Sequence, residues 1–559
     1  MVPGDARYSN HAKEGVVRPL SRSPVKLHKM GPRPTGARSE PARAQPVSKQ
    51  SNPHTARRDL RRATPALLVA SISLFLIFSG ASKRLVIRQS GSVKGAALAH
   101  TLTVSAGKPG RMFAPGTIGL SIEAEELATR DLHASHESLV ALMRLLGPAV
   151  LRVGGNSLDR SWWTSDAEPA PGWATSVITP TDLANLRELL AAADWQVILG
   201  VDLGHFDAAR AADETRAAVN ILGSRLVGIE LGNEPDLYSS SSVKLRGDDY
   251  NASTYLKEVS AYSSAIHEVS AAMPLYGPEL SPPTSWLTPI AVETPMPFAV
   301  LTEHYYSTSY NRPLGGCKGT PLPTAPELLS EQVRERENAI IRTLVSAGEL
   351  AHRPTRISET NSTASCDDSG GPDTGPVFAS ALWSLDWALR AANAGVGGLN
   401  FHGYFGLCAP GSYSPICAPT NAAEARGQVA AHPEYYGLLA ARELEGGRFL
   451  PVEIDGQNSA EELTAYATEH DHNVVTLVID NLAINGPTSI VLRVPGYRTA
   501  TSETLAGPSI NATRGVTLGH ASFNAAGMLR PKRAKIPGLR GVFRLKLAPT
   551  SAVVITLRR

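Results

Sequence analysis

Two glutamates stand where carboxylate chemistry could be done. Glu234 belongs to the stretch Leu226–Tyr238, LVGIELGNEPDLY, in which Leu226, Val227 and Ile229 read as a buried strand and Gly232-Asn233-Glu234-Pro235 as its polar end. Pro235 lacks an amide donor and favours an extended Glu234, so the strand is expected to stop there. Glu359 belongs to Arg356-Ile357-Ser358-Glu359-Thr360-Asn361, again a short apolar run ending in a polar turn. Two carboxyl groups flanking one glycosidic bond are enough to break it: one protonates the leaving oxygen, the other attacks the anomeric carbon. The acid must hold its proton near neutral pH and the nucleophile must stay ionised. A single glutamate at a strand end more often makes a salt bridge, and Glu123, Glu230 and Glu303 compete for these roles. Glu230, on the face of Glu234, is read as a buried structural partner of Arg152.

Such a pair works only if something brings it together. Predicted strands and amphipathic helices alternate eight times across residues 111–446. The strands fall at 117–122, 149–153, 196–203, 226–234, 274–277, 298–305, 355–358 and 398–402. That alternation implies parallel pairing with right-handed crossovers, and eight units close into a (β/α)8 TIM barrel. Glu234 and Glu359 would then end strands four and seven, facing a common pit at the C-terminal rim. An open doubly wound sheet is disfavoured, because no Gly-rich phosphate loop follows the first strand. Beyond 446 the segments become short and rich in Val, Ile, Leu and Thr, which predicts a β-sandwich over 447–559. A strand within 99–110 is a candidate to join it. The fold class is α/β.

Charge and cysteine place the chain. Residues 1–64 hold 14 Lys and Arg against 4 Asp and Glu; residues 65–559 hold 40 against 47, a net of −7 beneath a whole-chain +3. The basicity belongs to a tail expected to be disordered, which excludes a nucleic-acid partner for the folded part. Residues 65–82 carry an apolar run behind basic residues. Its 13 residues would span roughly 20 Å as a helix, short of the roughly 30 Å hydrocarbon core, as in a signal peptide. A retained anchor is the alternative, and either implies export: periplasmic, secreted or N-terminally membrane-anchored. The four cysteines, Cys317, Cys366, Cys408 and Cys417, have no CxxC spacing, which argues against zinc. They allow up to two disulfides, with Cys408–Cys417 and Cys317–Cys366 the favoured pairing.

Over roughly residues 100–559 the sequence resembles the retaining glycosidases of the large barrel clan, and within it the family 79 glycoside hydrolases, the β-glucuronidase and heparanase family. The resemblance rests on Gly232-Asn233-Glu234-Pro235, Arg356-Ile357-Ser358-Glu359-Thr360, Glu303-His304-Tyr305-Tyr306, Leu151-Arg152-Val153-Gly154-Gly155-Asn156, Asn400-Phe401-His402-Gly403, Gly411-Ser412-Tyr413-Ser414-Pro415-Ile416 and His432-Pro433-Glu434-Tyr435-Tyr436-Gly437. It implies Glu234 as acid/base and Glu359 as nucleophile. It further implies Asn233 as donor to the sugar 2-hydroxyl and Tyr305 as hydrogen-bond partner of Glu359. His304, His402, Glu123 and Asn156 would contact substrate. Tyr413, with Ser412 and the amides of their loop, would bind a uronate carboxylate. The loop after strand eight is longer than the family's, with Cys408 and Cys417 bracketing Tyr413. The implied activity is that of an exo-acting β-glucuronidase on a carbohydrate substrate, with no metal or organic cofactor. A heparanase-like endo-enzyme, another retaining exo-β-glycosidase and a non-catalytic carbohydrate-binding envelope protein are the alternatives. The net negative charge argues against the sulfated polymers that an endo-enzyme of this kind cleaves.

Overall fold

The computed structural model describes residues 99–240, 243–309, 323–364, 374–409, 412–455, 463–471 and 473–559. The basic tail, the apolar segment at 65–82, Cys317 and Cys366 lie outside them. Among the described residues no helix is long and apolar enough to cross a membrane.

Eight parallel strands close into a barrel: β1 (Ile118–Glu123), β2 (Val150–Gly154), β3 (Gln196–Val201), β4 (Leu226–Leu231), β5 (Leu275–Leu280), β6 (Val300–Ser309), β7 (Thr355–Ala364) and β8 (Leu399–Gly403), with β8 returning to β1. Their near-continuous burial is what parallel strands under a helix layer require. The crossover helices begin where local chemistry says they should. Asp182 accepts from the Thr179 amide at 2.8 Å, and Pro180 opens the helix Pro180–Ala193. Asn251 accepts from Ser253 and Thr254 at 3.0 and 3.2 Å to cap Ala252–Val269.

The C-terminal part is two sheets face to face. One has the order Val452–Asp455, His100–Val104, Thr488–Arg493, Val542–Leu547, Gly538–Leu539; the strand before the barrel is therefore shared with the sandwich. The other is built on Leu463–His470, Val474–Asn481, Ser551–Arg558 and Thr499–Ala506. Val475, Leu477, Ile479, Val553, Ile555 and Leu557 fill the space between the sheets. Val478, Leu505, Ala552 and Val554, of opposite parity, pack into the barrel's own core. This sheet is covered on both faces, which is why the final strand reads SAVVITLR rather than as an alternating pattern. The helix Phe378–Ala394, buried along nearly its whole length, lies at the junction, and Tyr466 donates to its Asp386 at 2.7 Å.

Candidate active site

The strand ends aim the two glutamates differently. β4 stops at Leu231, and Pro235–Leu237 begins a single 3-10 turn. Glu234 between them is not extended, as its position before proline suggests, but left-handed, with φ +47° and ψ 54°. Its amide donates to the Glu279 carbonyl at 2.9 Å, and this tie to the end of β5 holds the turn. A non-glycine residue at positive φ is strained, a cost that surrounding structure must offset. Glu279 itself is at φ +55°, so the strain is paired across two neighbouring strands. Glu359 lies inside β7, where the register with β6 shifts between Ile357 and Glu359. One oxygen of Glu234, one oxygen of Glu359 and one ring nitrogen of His304 all lie within 4.8 Å of each other. Carboxyl groups this close suit direct attack on a sugar carbon; an intervening water needs roughly 6.5–9.5 Å.

Arg152, on β2 and wholly buried, organises the floor. Its Nε is 2.8 and 2.9 Å from the two Glu230 oxygens, and its Nη2 bonds Glu230 as well. Nη1 donates to Glu359 Oε2 at 2.6 Å, and Nη2 to Asn233 Oδ1 at 2.9 Å. Burial works against charge on Arg152, yet Glu230, Glu359 and Glu279 hold its pKa well above the ordinary value. Burial alone would push Glu359 up. His402, His304, Arg152 and a tyrosine hydroxyl prevail and hold it far below the usual carboxylate range. Glu359 is thus kept as an anion in a buried place, as a nucleophile requires. The side chain of Glu234 is 16% exposed and that of Glu359 7%, so Glu234 is the more open of the two.

The tyrosine that touches Glu359 is Tyr306, not Tyr305. Tyr306 Oη donates to Glu359 Oε1 at 2.7 Å. β6 runs to Ser309, and its alternation sends Thr302, His304 and Tyr306 inward. Tyr305 faces the helix layer instead, its ring 5.7 Å from that of Trp387.

His304 and His402 are each 1% exposed and held among carboxylates rather than at the mouth. His304 Nδ1 is 3.1 Å from Glu234 Oε1, and Nε2 is 2.8 Å from Glu279 Oε2. His402 Nδ1 is 2.9 Å from Ser121 Oγ and 3.7 Å from Glu359, and its Nε2 is 3.5 Å from Glu123. Glu123 is occupied with backbone, accepting from Ser157 at 2.7 Å and Asn156 at 3.3 Å, and so holds the loop after β2. That loop exposes Asn156, whose Oδ1 accepts from Asn233 Nδ2 at 3.3 Å. Tyr413 is half-buried; its ring meets Tyr306 edge-on at 5.9 Å and lies 6.3 Å from His402. Ser412 donates to Ser414 Oγ at 3.0 Å, and Ser414 Oγ accepts the Tyr404 amide at 2.9 Å. Cys408 and Cys417 form a disulfide beneath this loop, with Cα atoms 5.2 Å apart. Glu303 is buried on the outer face of β6 and takes no part in the cluster.

Glu279, Tyr306 and Tyr404 carry no role of their own in the expectations drawn from the sequence. Glu279 lies just after a proline, one residue short of the last residue of β5. Arg152 is legible as a partner of Glu230 but not as a contact of Glu359. Tyr404 stands 6.1 Å from His402 beside Tyr413 on the rim.

A closed parallel barrel with a sandwich that takes in the strand preceding it is an architecture shared with glycoside hydrolases. The fold is similar to a 4-O-α-L-rhamnosyl-β-D-glucuronidase from Fusarium oxysporum solved as its Rha-GlcA complex, with TM-score 0.65 and 19% identity over 82% of this chain and 100% of that one. It is also similar to a family 51 arabinofuranosidase from Xanthomonas axonopodis, with TM-score 0.59 and 13% identity over 82% and 100%. A family 44 xyloglucanase from Paenibacillus polymyxa aligns with TM-score 0.52 and 11% identity over 82% and 99%. No family model matches the sequence, and no curated protein matches it.

Proposed function

We propose that the protein is a retaining β-glycosidase acting by double displacement, most specifically an exo-acting β-glucuronidase related to family 79. The observation that carries the reaction class is the closeness of Glu234 and Glu359, within 4.8 Å through one oxygen each, with Glu359 held ionised. Glu359 attacks the anomeric carbon while Glu234 protonates the departing oxygen; Glu234 then takes a proton from the water that releases the sugar. Asn233 Nδ2, turned towards exposed Asn156, is the group offered to the 2-hydroxyl. The uronate preference rests on Tyr413, whose ring lies against Tyr306 and so beside the reacting pair. Tyrosine and backbone amides can hold a carboxylate through charge-assisted hydrogen bonds without a cation.

A neutral β-glycoside is the second reading. Glu123 and Glu125 set a negative field around Tyr404 on the same rim, which opposes a second negative charge there. Aryl β-glucuronide, glucoside, xyloside and galactoside, with the product anomer followed by NMR, decide between the two. Retention with preference for the glucuronide supports the proposal. Inversion removes the mechanism, and preference for a neutral sugar removes the uronate. The proposed place of action is outside the cytoplasm, supported by the apolar segment at 65–82 and by the Cys408–Cys417 disulfide.

A further inference from the structure

The end of β5 carries a carboxylate that the reaction above does not use. Glu279 is fully buried, and its Oε2 accepts from Ser358 Oγ and lies 2.8 Å from His304 Nε2. Arg152 is a further 3.6 Å away. Burial pushes Glu279 up, but His304, Arg152 and Ser358 bring it below its ordinary value, so it is an anion that only accepts. The nitrogen facing it must therefore carry hydrogen. Arg152 Nη2, 3.3 Å from the same nitrogen, is a donor and cannot take that hydrogen. The other ring nitrogen, Nδ1, meets Glu234 Oε1 at 3.1 Å and Glu359 Oε2 at 4.0 Å. Glu234, Glu279, Glu359 and Arg152 are the charged groups nearest this imidazole, and Glu230 and Glu303 also lie within its electrostatic reach.

We propose that Glu279 is a positioning residue that fixes one proton of His304 on Nε2, so that Nδ1 of His304 and the carboxyl group of Glu234 share a second proton and act as one acid/base unit. The proposal rests on the glycosidase reading and deepens it. With the shared proton on Nδ1, Glu234 is a carboxylate beside an imidazolium; with it on Glu234, a carboxylic acid faces a neutral imidazole. Either way the unit is loaded with the proton that the first step needs. As the bond from C1 to the leaving oxygen breaks and the bond from C1 to Glu359 forms, that proton passes from Glu234 to the leaving oxygen. In the second step water attacks C1, Glu359 departs, and the proton of the water returns to the Glu234–His304 unit. Charges balance in both steps. Burial opposes a charged His304, yet Glu359, Glu234 and Glu279 raise its pKa to about 10, which extends the pH range over which the unit stays loaded.

The test is Glu279→Gln in the full chain, with Glu279→Asp as the charge-conserving control. Kinetics use two aryl glycosides of the preferred sugar, one with a dinitrophenol leaving group that needs no acid and one with a poor leaving group. Glu279→Gln should lower kcat/KM at least about tenfold on the poor leaving group and much less on the activated one. The alkaline limb of the pH profile should move about one unit or more to lower pH, and Glu279→Asp should restore part of it. Equal losses on both substrates with an unmoved alkaline limb would overturn the proposal. Selective 15N-histidine NMR, with His304 assigned through His304→Gln, gives a readout free of activity. Nε2 should stay protonated across the titration in the wild type and lose that fixed tautomer in Glu279→Gln; an Nε2 without hydrogen in the wild type sinks the relay. A wild-type protein inactive on every glycoside would remove the glycosidase reading, while the NMR result still judges the proton arrangement.

Discussion

The candidate site has two parts built in different ways. The carboxylate cluster stands on strands: Arg152, Glu230, Glu279, His304, Tyr306 and Glu359 come from β2, β4, β5, β6 and β7, and each has a partner on a different strand. The strand-eight loop, by contrast, is closed on itself by the Cys408–Cys417 disulfide and the Ser412–Ser414 bond, and is tied back to the barrel where the Asn361 amide of β7 donates to the Tyr413 carbonyl at 3.2 Å. A closed barrel fixes relative positions of side chains to within a rotamer, which bond-making chemistry needs. A loop tolerates length changes, which is how one barrel serves many substrates. The strand-borne part should therefore govern kcat for any sugar, and the loop should govern which sugar is taken.

The largest effects should come from the pair itself. Glu359→Ala should lower kcat by more than about 10⁴-fold on every glycoside. Glu234→Ala should lower it about 10²–10⁴-fold on substrates with poor leaving groups; on an activated aryl glycoside, where the glycosyl-enzyme accumulates for want of a general base, azide should restore part of the rate as a glycosyl azide. Activity kept in either variant would end the comparison, because the strand-borne part would not be where the reaction occurs.

Tyrosine substitutions give a sharper and smaller contrast. Tyr306→Phe removes a hydrogen bond to a buried anion, a kind of bond worth about 1.5–3 kcal/mol, so kcat should fall roughly 10- to 100-fold. Tyr305→Phe, on the other face of the same strand, should stay within about twofold, since Tyr305 packs on Trp387. Reversal of that order would place β6 one residue out of register. The same alternation explains what was legible in the sequence. Glu234 and Glu359 stand out because each follows an apolar run and ends it. The neighbouring tyrosines do not, because period two makes a one-residue slip exchange the two faces. β6 extends four residues beyond the expected end at 305, and that extension is what carries Tyr306 inward. Glu279 is hidden for a related reason. Pro278 reads as the end of the strand, whereas β5 continues through it to Leu280 with a register shift after Gly277. The left-handed Glu234 is set by a bond to Glu279, a contact between strands that local propensity does not encode. The sandwich was legible where its strands are uniformly apolar. The short Arg448–Leu450 and Val452–Asp455 were not, since their order depends on pairing with distant partners.

The cluster should also mark the pH dependence of stability. His304 has a folded pKa raised to about 10 against about 6.5 when unfolded. Its contribution is thus fully present below about pH 6.5 and lost as pH rises through about 10. Glu359 is shifted the other way: its contribution is present above about 4.3, the unfolded value, and lost as pH falls towards its folded pKa. Thermal unfolding of the wild type and His304→Gln across this range should converge on the alkaline side. A constant gap between the two curves would mean that His304 is not charged in the folded protein.

The smallest effect on the reaction should come from the loop. Replacing Cys408 and Cys417 by serine opens a loop closed over a sequence separation of 9, which the chain-entropy account values at about 2–3 kcal/mol. The cost should fall on local order around Tyr413 rather than on the barrel, because no residue of the carboxylate cluster is bonded to either cysteine. The nearest imidazole is His432, whose Nε2 lies 3.4 Å from Cys408 Sγ and 3.5 Å from Cys417 Sγ. KM for the preferred sugar should therefore rise several-fold while kcat at saturation changes little, which is the signature of lost ground-state and transition-state binding in equal measure. Preference among the aryl glycosides should flatten in the same variant. A fall in kcat as large as that of Tyr306→Phe would show that the loop also positions the reacting groups, through the edge-on contact of Tyr413 with Tyr306, and the division between the two parts would have to be redrawn at that contact.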